Sequence, residues 1–340
     1  MNRRWLCNDV WMDILPSFDR PQLGLKMALL SPRFDVLVDK HFDGQSEFPI
    51  LRTIKICKDP VVAVPKLAVV IDEDNSVAFP LPDHSLHNKI RFKSLQIHYI
   101  DHFVIAFLRA NQQIFHKWND TNLTLVFYFA HSFDVQPIWD VFVRELWPIF
   151  ASNIRHFHFP NAYALDNLRR RISPTILADL NINSIFSRAL FPDSIPDDGP
   201  NATAGQALSK WLHTPRKDGQ PKRLYCMLAT AGDVNKFKEK FLNDTTSAHY
   251  KIQFSVYPKP IEPFELVNGR TNEKLTLIKP SEDEWDGRWI MKRCQNGETT
   301  AAVQWEYDEQ NSRNLNNVHI GLYDVNTCIG PFSPPAEQQQ

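Results

Sequence analysis

Residues 154–187, IRHFHFPNAYALDNLRRRISPTILADLNINSIFS, contain the pattern that decides the fold. Two short runs rich in β-branched and aromatic residues, IRHFHF and INSIFS, predict strands. The segment between them, near Asp166–Leu180, predicts a helix. A strand, a helix and a second strand in succession are typical of a unit whose two strands lie parallel in one sheet.

The same alternation extends over residues 90–257 and predicts an α/β region with parallel strands. The other predicted strands are IRFKSLQIHYI, LTLVFYF, KRLYCMLA and HYKIQFSVYP. Strands begin at intervals of roughly 26 to 40 residues, a range typical of solenoid repeats. A curved, leucine-rich-repeat-like sheet is our first expectation and a doubly wound sheet the second. The motif Leu-x-x-Leu-x-Leu-x-x-Asn is absent apart from a weak echo near Leu180-Asn181, and the strand order stays open.

Both flanks of this region predict β structure. Residues 44–94 contain β-branched runs that are interrupted by prolines, so we expect an irregular β connector there. Residues 258–330 predict a β-rich C-terminal part with turns at Asn268-Gly269 and Asn296-Gly297. Residues 331–340 predict a disordered tail.

The N-terminal residues predict three short helices with almost no loop between them. Asp9 is placed to cap a helix over Val10–Leu15, and Gln22–Leu29 form the second helix. The third helix begins at Ser31-Pro32 and ends near Phe42. So small a unit carries more apolar side chains than it can bury, which predicts a docking surface. The alternative is a helical cap that packs on the next domain of the chain.

Residues 5–43 resemble an F-box, through the stretch LCNDVWMDILPSFDRPQLGLKMALLSPRFDVLV. The sequence departs from the family pattern at Cys7, where the family has proline. The resemblance implies docking to a Skp-type adaptor within a Skp–cullin–F-box ubiquitin ligase. It assigns the adaptor-binding role to these apolar residues: Leu6, Val10, Ile14, Leu15, Phe18, Leu23, Leu30 and Phe34.

Two phrases later in the chain are similar to the F-box-associated region of F-box families that are expanded in nematodes. The first is WLHTPRKDG at 211–219. The second is PFELVNGRTNEKLTL at 263–277, followed by WIMKRC at 289–294. Together with the F-box, the resemblance covers most of the chain. It implies the fold class α+β or α/β, with the three-helix F-box followed by the repeat-like array and the β-rich part.

Composition excludes several classes of function. Lys and Arg number 38 and Asp and Glu 39, a balance that argues against a general nucleic-acid binder. Five scattered cysteines without a CxxC pair argue against a disulfide framework and favour reduced thiols in the cytoplasm or nucleus. We expect no secretory signal and no membrane span, because no long apolar run occurs.

The sequence offers no catalytic motif. It contains no GxGxxG, GxxxxGK[ST], GxSxG or HExxH, so we expect no enzyme activity, cofactor or metal. His98 and His102 are interpreted as polar residues at a strand end and a helix start, although on one helix they could share a metal. His156 and His158 alternate on one strand. They lie either on a half-exposed strand face or on a strip that faces a ligand.

The sequence therefore predicts the substrate-recognition subunit of a Skp–cullin–F-box E3 ligase, in the cytoplasm, the nucleus or both. The expected partners are the adaptor with its cullin scaffold and a protein substrate bound by the α/β and C-terminal regions, at residues that stay unknown. We expect neither nucleic acid nor membrane as a partner. The alternative is a non-catalytic scaffold protein that has lost adaptor docking, since Cys7 replaces the family proline.

Overall fold

The protein is a mixed α/β structure in the computed structural model. The structure describes residues 7–18, 23, 27, 30–43, 50–59, 64–70, 76–81, 91–112, 123–127, 136–256, 261–279, 288–297, 316–322 and 325–332. Contacts divide the chain into two compact units, which cross the boundaries predicted from sequence. The first unit comprises residues 1–121, 128–150 and 316–340, and the second comprises 122–127 and 151–315.

The first unit contains the N-terminal helices and a mixed sheet. Its helices are α1 (Asn8–Ile14), α2 (Pro32–Asp43), α3 (His102–Ala110), α4 (Gln136–Val141), α5 (Trp147–Phe150) and α10 (Val325–Cys328). Its strands are β1 (Ile50–Lys58), β2 (Pro65–Val70), β3 (Ser76–Pro80), β4 (Arg91–Ile97) and β13 (Asn316–Ile320). Two of the prolines predicted to interrupt β structure lie at strand ends, where a missing N–H costs no ladder hydrogen bond: Pro65 begins β2 and Pro80 ends β3. Pro60 and Pro82 lie outside the described residues.

The strands of this sheet follow the order β13-β4-β1-β2-β3. β4 runs parallel to β13 and β1, whereas β1, β2 and β3 pair antiparallel. One register row, Leu67–Ile56–Ile97–Ile320, crosses four strands, and each of its side chains is fully buried. Apolar residues in register on one face are therefore what holds the sheet to its core.

The helical segment over 136–150 contains a wide turn close to Pro148. A π-helical turn over Phe142–Leu146 separates α4 from α5. Pro148 lies in the turn that follows, and its ring nitrogen cannot donate the usual hydrogen bond to the carbonyl four residues earlier.

The second unit contains the strand–helix alternation. Its strands are β5 (Leu123–Phe127), β6 (Ile154–Phe159), β7 (Ser184–Ser187), β8 (Lys222–Ala229), β9 (Tyr250–Val256), β10 (Phe264–Asn268), β11 (Glu273–Ile278) and β12 (Arg288–Gln295). Its helices are α6 (Ala162–Arg171), α7 (Ile176–Asp179), α8 (Ala204–His213) and α9 (Ala231–Asn243). Strands β5 to β9 lie side by side in sequence order and all pair parallel, as the alternation predicted. Strands β12, β11 and β10 continue from β9 with antiparallel pairing.

The sheet of the second unit has two chemically different faces. One face, here the helix-packed face, consists of fully buried apolar residues, such as Phe157, Ile185 and Leu224 in one register row. Helix α8 contacts the unit through the Trp211 indole N–H, which donates to the Ile182 carbonyl at 3.2 Å. The alternate residues form the polar face, which includes the predicted pair His156 and His158.

Three local predictions need correction. The N-cap of α1 is Cys7 and not Asp9, which lies in the first turn. The helix predicted near Asp166–Leu180 begins at Ala162 instead, because the Asn161 side chain accepts a hydrogen bond from the Ala164 N–H. It ends at Arg171 before Ser173-Pro174, and the short α7 follows separately.

The start of the predicted tail also makes defined contacts. The His102 N–H donates to the Pro331 carbonyl at 3.1 Å, and the Arg144 guanidinium lies 5.5 Å from the Phe332 ring centre. Ile100 and Ile329 form an isolated parallel β-bridge, and Gly330 is the next residue in the chain. A Cβ at position 330 would collide with Tyr99, so only glycine fits this close approach. Residues 333–340 lie outside the described residues.

Candidate protein-docking surface

The N-terminal helices form an apolar cluster of their own, here the N-terminal cluster. Its buried members are Leu15, Leu23, Met27, Leu37 and Val38. The partly buried side chains packed against them are Trp11, Met12, Phe18 and Phe34. Every one of these residues comes from the stretch that resembles an F-box, so the stretch supplies its own small core.

Local contacts explain how α1 and α2 come together. The Ser31 side chain accepts from the Phe34 N–H at 3.4 Å, and Pro32 follows as the first helical residue, so α2 begins where predicted. The rings of Trp11 and Phe34 meet edge-to-face at 4.7 Å between centres. Beside them, the Arg33 side chain donates to the Asn8 side-chain oxygen at 3.0 Å. The last two contacts join the start of α2 to α1.

The structure separates the predicted adaptor-binding residues into two groups. Leu15 and Leu23 are fully buried inside the N-terminal cluster, so their direct role is to hold the helices together. Ile14, Phe18 and Phe34 are half-buried at its edge. Val10 and Leu30 face solvent, with 39% and 64% of their surface exposed. Leu6, like most of the predicted second helix, lies outside the described residues.

One exposed apolar residue escaped the sequence analysis. Val36 on α2 is 65% exposed, next to the buried Leu37. The pattern could have revealed it, because Val36 lies off the apolar stripe that Phe34, Leu37 and Val38 form at helical spacing. Val10, Leu30 and Val36 are therefore apolar residues of the N-terminal stretch that stay exposed, and we call these three the exposed triplet.

Cys7 adopts the backbone conformation that the family proline would have. Its φ is −69° and its ψ is 162°, while a proline ring fixes φ near −65°. The Cys7 carbonyl accepts the N–H of Trp11 at 3.3 Å, which begins the hydrogen bonding of α1. A proline at position 7 would therefore fit the backbone that begins the first helix.

The two later phrases that resemble the F-box-associated region lie at structural junctions. Trp211, in the first phrase, is buried, and the Arg216 guanidinium pairs with Asp218 in the loop that follows α8. The second phrase forms the predicted hairpin of β10 and β11. There, Asn268 donates its side-chain N–H groups to the carbonyls of Phe241 and Asp244, at 2.6 and 2.9 Å. The hairpin is thereby tied to the end of α9.

A buried charge network joins the same hairpin to β12. The Arg293 guanidinium, with no exposed surface, donates to Glu273 at 2.7 Å and to Asp244 at 2.5 Å. Burial opposes ionisation of Asp244, but hydrogen bonds from Lys240 and Arg293 outweigh it and lower the pKa of that carboxyl. Each charge in this network meets an opposite charge, so loss of one partner would leave an uncompensated buried charge.

His98 and His102 lie apart in the first unit. His98 follows β4, and burial, with the charge of Lys55, lowers its pKa to about 4. His102 begins α3, and its Nδ1 lies 3.0 Å from the Pro331 carbonyl oxygen. Among the described residues, no group of three or more His, Cys, Asp or Glu side chains could hold a metal ion.

The polar face of the second unit brings His156 close to side chains of the neighbouring strands. In the pairing register, His156 on β6 lies opposite Thr124 on β5 and Ser184 on β7. Its Nδ1 is hydrogen-bonded to the Ser184 hydroxyl. His158, two residues on, packs its ring against that of Phe186 at 4.3 Å between centres.

Comparison with family models, curated proteins and solved structures gives no match for this chain. Within the described ranges, no helix has the length and apolar character needed to cross a membrane.

Proposed function

We propose that this protein is the substrate-recognition subunit of a Skp–cullin–F-box E3 ubiquitin ligase. The N-terminal helices bind a Skp-type adaptor, and the second unit, with its C-terminal strands, binds a protein target. The observation that carries the proposal is the N-terminal cluster: the F-box-like residues bury their own core, yet leave Val10, Leu30 and Val36 exposed. Apolar residues that stay exposed beside a small apolar core are suited to an interaction site.

The geometry at Cys7 favours this function over a scaffold that has lost adaptor docking. The replacement of the family proline is the only reason in the sequence for such a loss. Because Cys7 keeps a φ of −69°, the first helix begins as it would after proline. The five cysteines are free thiols, which supports a cytoplasmic or nuclear protein.

The second unit supports the role of a target receptor. Its parallel strands β5 to β9 lie in sequence order, which supports a repeat-like sheet over a doubly wound one, where the strand order reverses. The protein itself performs no chemistry in this proposal. It holds a target near the ubiquitin-loaded enzyme and so raises the local concentration of the target's lysines.

A pull-down tests adaptor binding. Full-length protein should capture a purified Skp-type adaptor, and the double variant Val10→Asp, Leu30→Asp should reduce capture at least ~10-fold, because charges replace apolar contacts. Both positions are exposed, so the substitutions should leave the fold intact.

The matched control is Ile195→Asp in the second unit, since Ile195 is 66% exposed and receives the same change. It should capture the adaptor normally. If the intact, folded protein captures no adaptor, the proposal is wrong and the scaffold alternative replaces it.

A further inference from the structure

The polar face of the second unit contains a row of hydrogen-bonding side chains at the N-terminal ends of its parallel strands. The register runs Thr124–His156–Ser184–Arg223 across β5, β6, β7 and β8. Neighbouring strands lie about 4.8 Å apart, so consecutive side chains on one face of this row are within reach of each other. We call these four residues the polar row.

His156 and Thr124 of the polar row each carry an atom without a hydrogen-bond partner. The Nε2 of His156 and the hydroxyl of Thr124 are screened from solvent, and within the described structure nothing pairs with either. Buried polar groups without a partner are rare because each costs about 1–3 kcal/mol. The residues that carry these atoms are nevertheless partly exposed, so the row lies at the surface of the sheet.

The unpaired groups can both act as donors. The Ser184 hydroxyl is bonded to Nδ1 of His156, and a hydroxyl can rotate to donate there. The single proton of the neutral imidazole then lies on Nε2. The Thr124 hydroxyl has no hydrogen-bond partner in the described structure, so it can also donate to a ligand. The row therefore presents two donors beside each other.

Positive charge surrounds these donors. Burial and the charge of Arg223 lower the pKa of His156 to about 3, and the charges of Arg216 and Arg155 act in the same direction. Asp218, which pairs with Arg216, is 53% exposed and offsets part of that one charge. The Arg155 side chain donates to the carbonyls of Ser152 and Ile154, and hydrogen bonds to these uncharged groups leave its positive charge in place.

We infer that the polar row is an oxyanion-binding site that takes the phosphate of a phosphorylated side chain in the protein target. Donors next to arginines are the arrangement by which proteins hold phosphate groups. A second row, His158–Phe186–Tyr225, lies two residues further along the same strands and presents rings. Rings beside an anion site suit a peptide, whose phosphorylated residue has neighbours to pack, better than a free phosphate ion.

That the ligand is a protein rests on the proposed function. The test below therefore measures peptide binding without the adaptor, so that each proposal can fail separately. Full-length protein is titrated with two peptide pools that have random flanks around a central phosphoserine or serine, and with inorganic phosphate. The phosphoserine pool should bind at least ~10-fold more tightly than the serine pool, as charge-assisted hydrogen bonds predict. Inorganic phosphate should compete only weakly.

Three variants place the binding on the polar row. His156→Phe and Arg223→Gln should each remove most of the preference for phosphoserine. Thr124→Val should weaken it too, yet leave the melting temperature equal or higher, because it replaces an unsatisfied buried hydroxyl by a methyl group. If Thr124 had only a structural role, a variant that binds more weakly would also have a lower melting temperature.

Arg188→Gln is the matched control, because Arg188 is an exposed arginine just beyond the opposite end of β7. It should keep the preference in full. Equal binding of the two pools overturns the inference, as does a preference that survives in Thr124→Val and Arg223→Gln. Binding of inorganic phosphate without any preference between the pools overturns the assignment to a protein ligand. A chain that captures the adaptor but fails here refutes only this inference.

Discussion

The N-terminal cluster and the sheet of the second unit bury apolar side chains on very different scales. Among the residues that the structure describes, the cluster has five buried members, and its other apolar residues are half-buried or exposed. The sheet instead buries whole register rows, and it adds the ion network around Arg293. A small core next to exposed apolar residues is suited to present a surface, whereas the sheet is suited to remain rigid while it holds a ligand.

The difference also predicts where each region is vulnerable. In the cluster, every buried side chain is a large share of the total core, so one truncation can unfold the helices. In the second unit, apolar burial is spread over many strands, so no single apolar side chain is a large share of the core. We expect its most sensitive residue to be Arg293, whose charged side chain is fully buried. Substitutions in the two regions should therefore fail in different ways.

Arg293→Met should have the largest effect on stability. The substitution leaves Glu273, which is 1% exposed, and Asp244 without their buried cation. Removal of one partner from a buried ion pair costs about 3–5 kcal/mol. Urea denaturation of the full chain should show a loss of that size in the free energy of unfolding.

The control for this variant is Lys274→Met. Lys274 pairs with Glu265, whose side chain is 59% exposed, and an exposed pair contributes about 0–1 kcal/mol. If the two methionine variants lose equal stability, the network around Arg293 is not the sensitive point of the second unit.

Leu37→Ala should unfold the N-terminal cluster while the second unit stays folded. The buried leucine loses about 2–5 kcal/mol on truncation, and the cluster has few other contacts to compensate. Hydrogen exchange measured by mass spectrometry should show lost protection in α1 and α2 alone.

Val36→Ala is the neighbouring control, because Val36 is 65% exposed and should change stability by no more than about 0.5 kcal/mol. Equal loss of protection in the second unit of Leu37→Ala would show that the two regions unfold as one, and the comparison would fail.

The elements that sequence predicted well are those whose signals are local. The Ser31-Pro32 pair marks the start of α2 because both residues act within the first turn. Asn268 marks the hairpin of β10 and β11 because its side chain accepts from the Arg270 N–H inside the turn, at 2.8 Å. Parallel pairing of β5 to β9 followed from the alternation alone.

What the sequence could not supply depends on contacts between distant residues. The placement of β12 beside β9, with β10 at the edge, reflects pairing that no local pattern encodes. Arg169 stands in a run of three arginines, yet it is buried and donates to the carbonyls of Pro174 and Gly199. Likewise, the polar row appears only when the register places Thr124 and His156 side by side.

The smallest expected effect on stability is that of a substitution at Cys7, which should change the N-terminal helices slightly and leave the second unit unchanged. Cys7→Pro restores the family residue at a position whose φ of −69° already fits it. Such a substitution stabilises by about 0.4–1 kcal/mol because it restricts the unfolded chain. Hydrogen exchange should therefore slow slightly in α1, while the second unit is unaffected. Adaptor capture should stay the same, since the exposed triplet does not change. A large gain in capture would mean instead that Cys7 impairs docking in the natural sequence, and it would favour the scaffold alternative over the ligase subunit.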